Sequence, residues 1–139
     1  MPRVGAPAIS PDGTWVVVSV LEPAYDDKQQ ASDLWIVAAD GRSPARRLTG
    51  TPGAESGATW SRDSTRLAFS ARRGDDEVAQ IYVMDIARGG EAQRVTTVST
   101  GARAPRWKPD GTAILFTSDV YPGAKTDADN KAAAAERKG

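Results

Sequence analysis

Three stretches of the chain carry the same alternation of apolar and polar positions. Val16 and Val18, Leu67 and Phe69, and Ile114 and Phe116 stand at matching offsets behind three similar segments. Those segments are Ala8-Ile9-Ser10-Pro11-Asp12-Gly13, Thr59-Trp60-Ser61-Arg62-Asp63-Ser64 and Arg106-Trp107-Lys108-Pro109-Asp110-Gly111. Period two over this length predicts strands with one buried face. Pro, Asp and Gly at the second, third and fourth places of the tetrad suit a type I turn. Each copy therefore predicts strand, tight turn, strand.

Two further strands sit between the tetrads. Leu34-Trp35-Ile36-Val37 matches Ile81-Tyr82-Val83-Met84, and Arg46-Arg47-Leu48-Thr49 matches Gln93-Arg94-Val95-Thr96. Leu34 to Leu48 and Ile81 to Val95 are both fourteen residues, and Leu48 to Trp60 and Val95 to Trp107 are both twelve. Asp40-Gly41 and Gly89-Gly90 supply hairpin turn chemistry between these strands. The tetrad aspartates Asp12, Asp63 and Asp110 are 51 and then 47 apart. The whole difference falls between the second and third strands, which predicts a polar surface loop from Glu22 to Asp33 in one copy and from Arg72 to Val78 in the other.

Four short strands in a unit of about 40–50 residues make the blade of a β-propeller. The chain thus reads as all-β, an incomplete propeller of about two and a half four-stranded antiparallel blades. Blade 1 covers about 7–50, blade 2 about 58–97 and a half blade 105–118; residues 119–139 form a polar tail. That tail is either an insertion before the next strand or the end of the fold. Asp127 or Asp129 would cap a short helix through Ala132–Ala135, and its lack of a wide apolar stripe predicts a helix that is marginal alone. Two and a half blades cannot close a ring, so apolar inter-blade faces are expected at both ends, where they favour self-association.

Composition narrows the chemistry. The 139 residues include 18 Lys+Arg, 18 Asp+Glu, no histidine and no cysteine. The length suits one ordinary domain, and zero net charge offers no polybasic surface for nucleic acid or anionic lipid. Without His or Cys the chain builds neither a Ser-His-Asp nor a Cys-His triad, and no His- or Cys-ligated zinc site. Met1-Pro2-Arg3-Val4-Gly5 lacks the apolar run of a signal peptide, which leaves cytoplasm and periplasm both open. The abrupt start on a structural element resembles a segment of a longer protein.

Every feature that invites a catalytic reading has a structural one beside it. Gly53-Ala54-Glu55-Ser56-Gly57 approaches a nucleophile elbow, but its serine is one place off Gly-x-Ser-x-Gly and no helix is predicted after it. The acidic groups Asp26-Asp27, Asp75-Asp76-Glu77 and Asp127-Ala128-Asp129 match no calcium loop and read as solvated loop charge. Asp12, Asp63 and Asp110 recur with the fold and read as Asx-type turn residues. Trp35, Trp60, Tyr82 and Trp107 would make a stacking platform, yet they repeat from copy to copy and read as packing between or over blades. Arg46-Arg47 and Arg72-Arg73 are isolated pairs, not a phosphate-binding stripe. No catalytic, cofactor-binding or metal residue is assigned.

The tetrads, Asp33-Leu34-Trp35-Ile36-Val37 and Arg46-Arg47-Leu48-Thr49 resemble the repeats of TolB-like propellers. More narrowly, the chain resembles the N-terminal propeller of prolyl-oligopeptidase family serine peptidases of the acylaminoacyl-peptidase and dipeptidyl-peptidase type. Glu22-Pro23-Ala24-Tyr25-Asp26, Ser32-Asp33-Leu34-Trp35-Ile36, and Ser118-Asp119-Val120-Tyr121-Pro122 with the acidic-then-basic stretch after it carry that likeness. The resemblance implies a fragment of a substrate-gating cap acting on oligopeptides, with the remaining blades and an α/β-hydrolase domain as partners in a longer chain. It also implies that serine, aspartate and histidine of the hydrolase lie outside this sequence, so the chain alone is no enzyme and its parent is a serine exopeptidase or oligopeptidase. Two other expectations stand beside it: a TolB-like protein-interaction propeller without an enzymatic domain, and copies of this chain assembled into a ring.

Overall fold

The computed structural model describes residues 3–22, 31–49 and 55–138. Three antiparallel sheets follow one another along the chain. The first contains β1 (Arg3–Val4), β2 (Ala8–Ile9), β3 (Trp15–Glu22), β4 (Ala31–Ala38) and β5 (Arg46–Arg47), in the order β1-β3-β4-β5 with β2 also on β3. The second is β6 (Glu55–Trp60), β7 (Arg66–Ala71), β8 (Gln80–Asp85) and β9 (Gln93–Arg94), paired in that order. The third is the hairpin β10 (Arg103–Trp107) and β11 (Ile114–Thr117), followed by helix α1 (Asp127–Lys138). The fold is all-β apart from that helix: a partial, unclosed propeller.

Strands begin earlier than the tetrad pattern alone indicates, because each first strand carries one extra residue. Ser56 pairs with Ser70 and Thr59 with Ala68; Arg103 pairs with Thr117 and Arg106 with Leu115. The same slip splits the first strand of sheet one, between Val4 on Val20 and Ala8 on Val17. A bulge breaks period two and hides the strand from pattern reading. Gly57 and Ala104 occupy the corresponding bulge positions with φ of 68° and 52°. Only glycine adopts that region freely. A Cβ on Gly57 would also lie 3.3 Å from Pro105 Cδ. Gly57→Ala is therefore expected to cost about 1–2 kcal/mol and Ala104→Gly to gain roughly 0.5–1 kcal/mol, as read from urea unfolding midpoints.

The loop expected from Glu22 to Asp33 is shorter than the sequence suggests. β3 and β4 pair without interruption from Trp15 on Ala38 to Glu22 on Ala31. Polar residues at the strand ends extend the ladder, because main-chain pairing does not require an apolar side chain. The remainder of that loop, with Asp26-Asp27 and the Pro23-Ala24-Tyr25 portion of the family likeness, lies outside the described residues.

Alternation sorts side chains onto two faces per sheet. Val17, Leu34 and Ile36 of the first sheet meet Leu67, Phe69, Tyr82 and Met84 of the second, all buried. The opposite face of the second sheet, through Ala68 and Ile81, meets Trp107, Ile114 and Phe116 of the third. Both faces of β7 are thus covered. Across sheets β6 packs on β2, β3 and β4, and β10 packs on β6, β7 and β8, whereas the fourth strands β5 and β9 pack mainly on their own third strands, which places the first strands at the hub and the fourth at the rim.

Helix α1 is capped by Thr126, a correction to the expectation of Asp127 or Asp129. Thr126 Oγ1 accepts the Asp129 N–H at 3.2 Å, while the Asp129 carboxylate reaches back to the Thr126 N–H at 3.2 Å and the Lys125 N–H at 2.9 Å. This reciprocal box satisfies amides that a helix start leaves open. Asp127 turns away and accepts from the Ser99 N–H and hydroxyl at 2.8 and 2.7 Å. Buried Asn130 accepts the Tyr121 N–H at 3.0 Å. Polar contacts from Asp127 and Asn130 tie the start of the helix to the chain around Ser99 and Tyr121.

Candidate functional site

Each tetrad is a hydrogen-bonded turn. The Gly13, Ser64 and Gly111 N–H groups donate to the carbonyls of Ser10, Ser61 and Lys108 at 2.8–2.9 Å. Asp12 accepts from the Ser10 hydroxyl at 2.6 Å and the Thr14 N–H at 2.9 Å. Asp63 accepts from Ser61, at 2.6 Å, and from both the N–H and hydroxyl of Thr65. In the third copy Lys108 replaces the serine; Asp110 accepts from the Thr112 N–H and hydroxyl, with Lys108 Nζ at 3.2 Å. Three equivalent carboxylates thus serve three equivalent turns.

These bonds favour the ionised carboxylate. The Ser10 hydroxyl and the Thr14 N–H hold Asp12 below the usual range. Ser61 and Thr65 bring Asp63 to about 2, and Thr112 lowers Asp110. A folded pKa below the unfolded value means stabilisation that is present above the unfolded pKa and lost as pH falls through the folded one. Stability is therefore expected to drop between about pH 4 and about pH 2, over the window set by Asp63. Asp63→Asn, which keeps the turn but cannot titrate, should flatten part of that acid limb in denaturant titrations across this range.

The tetrad tryptophans tie one sheet to the next. Trp60 Nε1–H donates to the Ala8 carbonyl at 3.0 Å, and Trp107 Nε1–H donates to the equivalent Thr59 carbonyl at 3.1 Å. Arg66 adds a guanidinium 4.6 Å from the Trp107 ring centre and a 2.8 Å bond to the Gly111 carbonyl. Tyr82 stacks on Phe69, with ring centres 6.1 Å apart. Trp35 is half-buried on the face turned away from the second sheet, opposite Val18. The four rings lie on separate elements and make no common platform.

A buried ionic cluster occupies the seam between the first two sheets. Glu55, at the hub end of β6, pairs with Arg73 at 3.1 Å and takes a short hydrogen bond from Thr49 Oγ1. Thr49 Oγ1 in turn accepts the Leu34 N–H at 2.8 Å. The Arg73 guanidinium lies 5.3 and 5.1 Å from the Phe69 and Tyr82 ring centres. Asp76 accepts from the Tyr82 hydroxyl at 2.6 Å, Arg94 at 2.5 Å and the Arg73 N–H at 3.2 Å. Burial alone would raise the Asp76 pKa, but Tyr82, the Arg73 N–H and Arg94 outweigh it and lower the value. Burial, then Asp76, pushes Tyr82 up to about 12, so it remains a proton donor.

Asp76 is thus not the solvated loop charge that its sequence neighbours Asp75 and Glu77 suggest. Its side-chain partners, Tyr82 and Arg94, come from β8 and β9, which no local pattern links to it. Arg73 and Arg47 are likewise partnered, Arg47 with Asp33 at 3.5 Å. The sole legible signal was the repeated Arg-Leu-Thr and Arg-Val-Thr: Thr96 repeats the Thr49 contact by accepting the Ile81 N–H at 2.9 Å. Chemically the cluster is a lock between sheets. It presents guanidinium, carboxylate and a protonated phenol, with no base poised beside a nucleophile. Ser56 lies within β6, not on a strand-to-helix turn; Gly53 and Ala54 fall outside the described residues. Among the described residues no group of acidic side chains is arranged to hold a metal ion.

The chain is 33% identical over 122 residues to the uncharacterized peptidase YuxL of Bacillus subtilis, covering 87% of this chain and 18% of that protein. It is 28% identical over 121 residues to dipeptidyl-peptidase 5 of Porphyromonas endodontalis, covering 86% and 17%. It therefore spans less than a fifth of the length of these relatives. TolB from Acinetobacter baumannii superposes with a TM-score of 0.65 at 23% identity, over 86% of this chain and 27% of that one. Residues 2–131 match the TolB β-propeller domain, and with three tetrad hairpins arranged as successive blades the chain belongs to that family.

Proposed function

We propose that this chain is part of the substrate-gating propeller of a prolyl-oligopeptidase-type serine peptidase acting on oligopeptides, and contributes no catalytic residue of its own. The observation that carries the reading is the 33% identity to a peptidase across 87% of the chain. Since the match occupies only 18% of that relative, such a protein has room for the other blades and for a hydrolase domain that would supply the serine, aspartate and histidine. The role of these residues would then be mechanical. The turn carboxylates, indole bonds and ionic lock keep adjacent blades in register around a channel. Ser56 on β6 and Arg103 and Arg106 on β10 are exposed on hub strands, and in a closed ring they would line the passage through which a peptide travels.

A second reading is a TolB-like protein-interaction propeller without an enzymatic domain, favoured by the TolB fold match. Reading the native frame beyond the Gly139 codon separates the two. The peptidase reading expects further tetrads, then Gly-x-Ser-x-Gly and a later histidine. A frame that yields only more blades, or stops, refutes it and leaves partner binding as the function.

A further inference from the structure

An Asp-Gly bond is where a chain most readily rewrites its own backbone, because glycine has no Cβ to shield its amide nitrogen from the preceding carboxyl group. It occurs three times, at Asp12-Gly13, Asp40-Gly41 and Asp110-Gly111, and the single asparagine, Asn130, is followed by lysine. The three glycines share one backbone conformation, with φ of 74°, 73° and 76°. Each N–H donates to the carbonyl three residues back, at 2.8–3.0 Å. What differs is how each turn is held. Asp12 accepts from the Ser10 hydroxyl and the Thr14 N–H, and its own N–H donates to Ser64 Oγ of the second sheet at 3.1 Å. Asp110 accepts from the Thr112 N–H and hydroxyl, with Lys108 Nζ at 3.2 Å. Arg66 of the second sheet covers the glycine beside it, donating to the Gly111 carbonyl at 2.8 Å. Asp40 accepts only the Arg42 N–H at 2.9 Å, with Arg42 Nε at 3.9 Å. Among the described residues, the contacts of its turn stay within its own sheet: the Ala39 N–H donates to the Thr14 carbonyl at 2.9 Å, and the Arg42 guanidinium lies 5.4 Å from the Trp15 ring centre.

We propose that Asp40-Gly41 is a site of spontaneous covalent modification, the isomerisation of aspartate to isoaspartate, from which the tetrad turns protect the other two Asp-Gly bonds. The step needs no reactant but water. The Gly41 backbone nitrogen attacks Asp40 Cγ; a C–N bond forms, a carboxyl C–O bond breaks, and the hydroxyl leaves with the amide proton as water. Water then opens the succinimide at the Asp40 main-chain carbonyl and breaks the original peptide C–N bond. The chain now runs through Cγ, and the former main-chain carbonyl becomes the free carboxylate. Mass is unchanged and nothing is oxidised or reduced. The tetrads oppose this in two ways. The protonated carboxyl loses hydroxyl far more readily than the carboxylate does, and the bonds that hold Asp12 and Asp110 below the usual range keep them ionised. The attack also swings Cγ onto the amide nitrogen, which breaks those bonds. At Asp40 a single main-chain bond is in the way, and β5 beyond it pairs through only two residues, so the connection from β4 opens at little cost. The product adds a methylene to the main chain and withdraws the carboxylate from the Arg42 N–H. Its effect falls on the rim, at the pairs of Trp35 with Arg47 and Ile36 with Arg46 and at the Arg47–Asp33 ion pair. The site depends on neither reading of the function.

The test holds the folded 139-residue chain at neutral pH, digests it with trypsin and measures isoaspartate by methyltransferase labelling. Trypsin places the three bonds in separate peptides, 4–28, 29–42 and 107–125. Label in 29–42 should exceed that in either of the others about tenfold or more, the scale set by one or two further hydrogen bonds to be broken. The same incubation in urea should bring the three rates together, because only the shared Asp-Gly chemistry then remains. Asp40→Glu keeps the carboxylate, but its longer side chain disfavours ring closure; label in 29–42 should vanish while the other two peptides are unchanged. Equal label in the three peptides of the folded chain, or a lead by Asp12 or Asp110, overturns the proposal. A lead by Asp40 that persists undiminished in urea assigns it to the neighbouring sequence and overturns the protective role of the turns. Label in 29–42 that survives Asp40→Glu comes from Asp33 and refutes the site.

Discussion

Trp60→Ala should lower the unfolding free energy by about 3–5 kcal/mol, the range for removing a large buried aromatic. Trp60 is 7% exposed and belongs to the cluster that joins the first two sheets. Its loss opens a void between sheets, and each sheet is too small to bury its own apolar face. The change should appear as a lowered urea midpoint and as faster exchange in β3 and β4. Trp60→Phe separates the contributions. It retains much of the packing and removes the donor to Ala8, so the cost falls to about 1–2 kcal/mol: a hydrogen bond of about 1 kcal/mol plus the smaller ring. Trp107→Ala should cost less than Trp60→Ala, because Trp107 is only half-buried and borders a cavity between the second and third sheets. Equal costs would show that the indole bond, common to both, outweighs burial.

Glu55→Ala should cost a similar amount, about 3–5 kcal/mol, because removing one member of a buried pair leaves the other charge uncompensated. The Arg73 side chain is 15% exposed and Glu55 2%, so water replaces little of what is lost. The Thr49 hydroxyl loses its acceptor as well. Arg73→Met in the Glu55→Leu background should recover much of the loss, since an apolar pair of similar volume avoids the desolvation of both ions. A double variant no more stable than Glu55→Ala would mean that the ionic geometry itself stabilises the seam. The exposed Arg103–Asp119 pair, at 2.9 Å with both side chains more than half exposed, offers the contrast: exposed ion pairs contribute about 0–1 kcal/mol.

The pairing of a repeated turn with period-two strands was legible because both are local. Ser-Pro-Asp-Gly states its own hydrogen bonds, and Val16-x-Val18 or Leu67-x-Phe69 states its own face. What stayed hidden was whatever needed a neighbour. The bulges at Gly57 and Ala104 interrupt the very periodicity used to find strands. Thr126 does not stand out as the cap in sequence, because Asp127 and Asp129 offer the same chemistry and only the turn of the backbone distinguishes them. Asp76 looked like one of three loop acids; its burial depends on Tyr82 and Arg94 converging on it from two other strands.

Residues near one another in sequence settle the repeat, the strand-turn-strand unit and the all-β class, and the composition leaves no histidine or cysteine from which a Ser-His-Asp or Cys-His triad could be built. Tertiary structure alone decided which face of each sheet meets which neighbour, that the recurrent tryptophans reach across to the preceding sheet, and that Glu55, Arg73, Asp76 and Tyr82 form one buried seam. The physical reason is range. Turn formation and alternation are set by residues within a few positions of each other, whereas burial and ion pairing are properties of a surface that exists only once two sheets have packed.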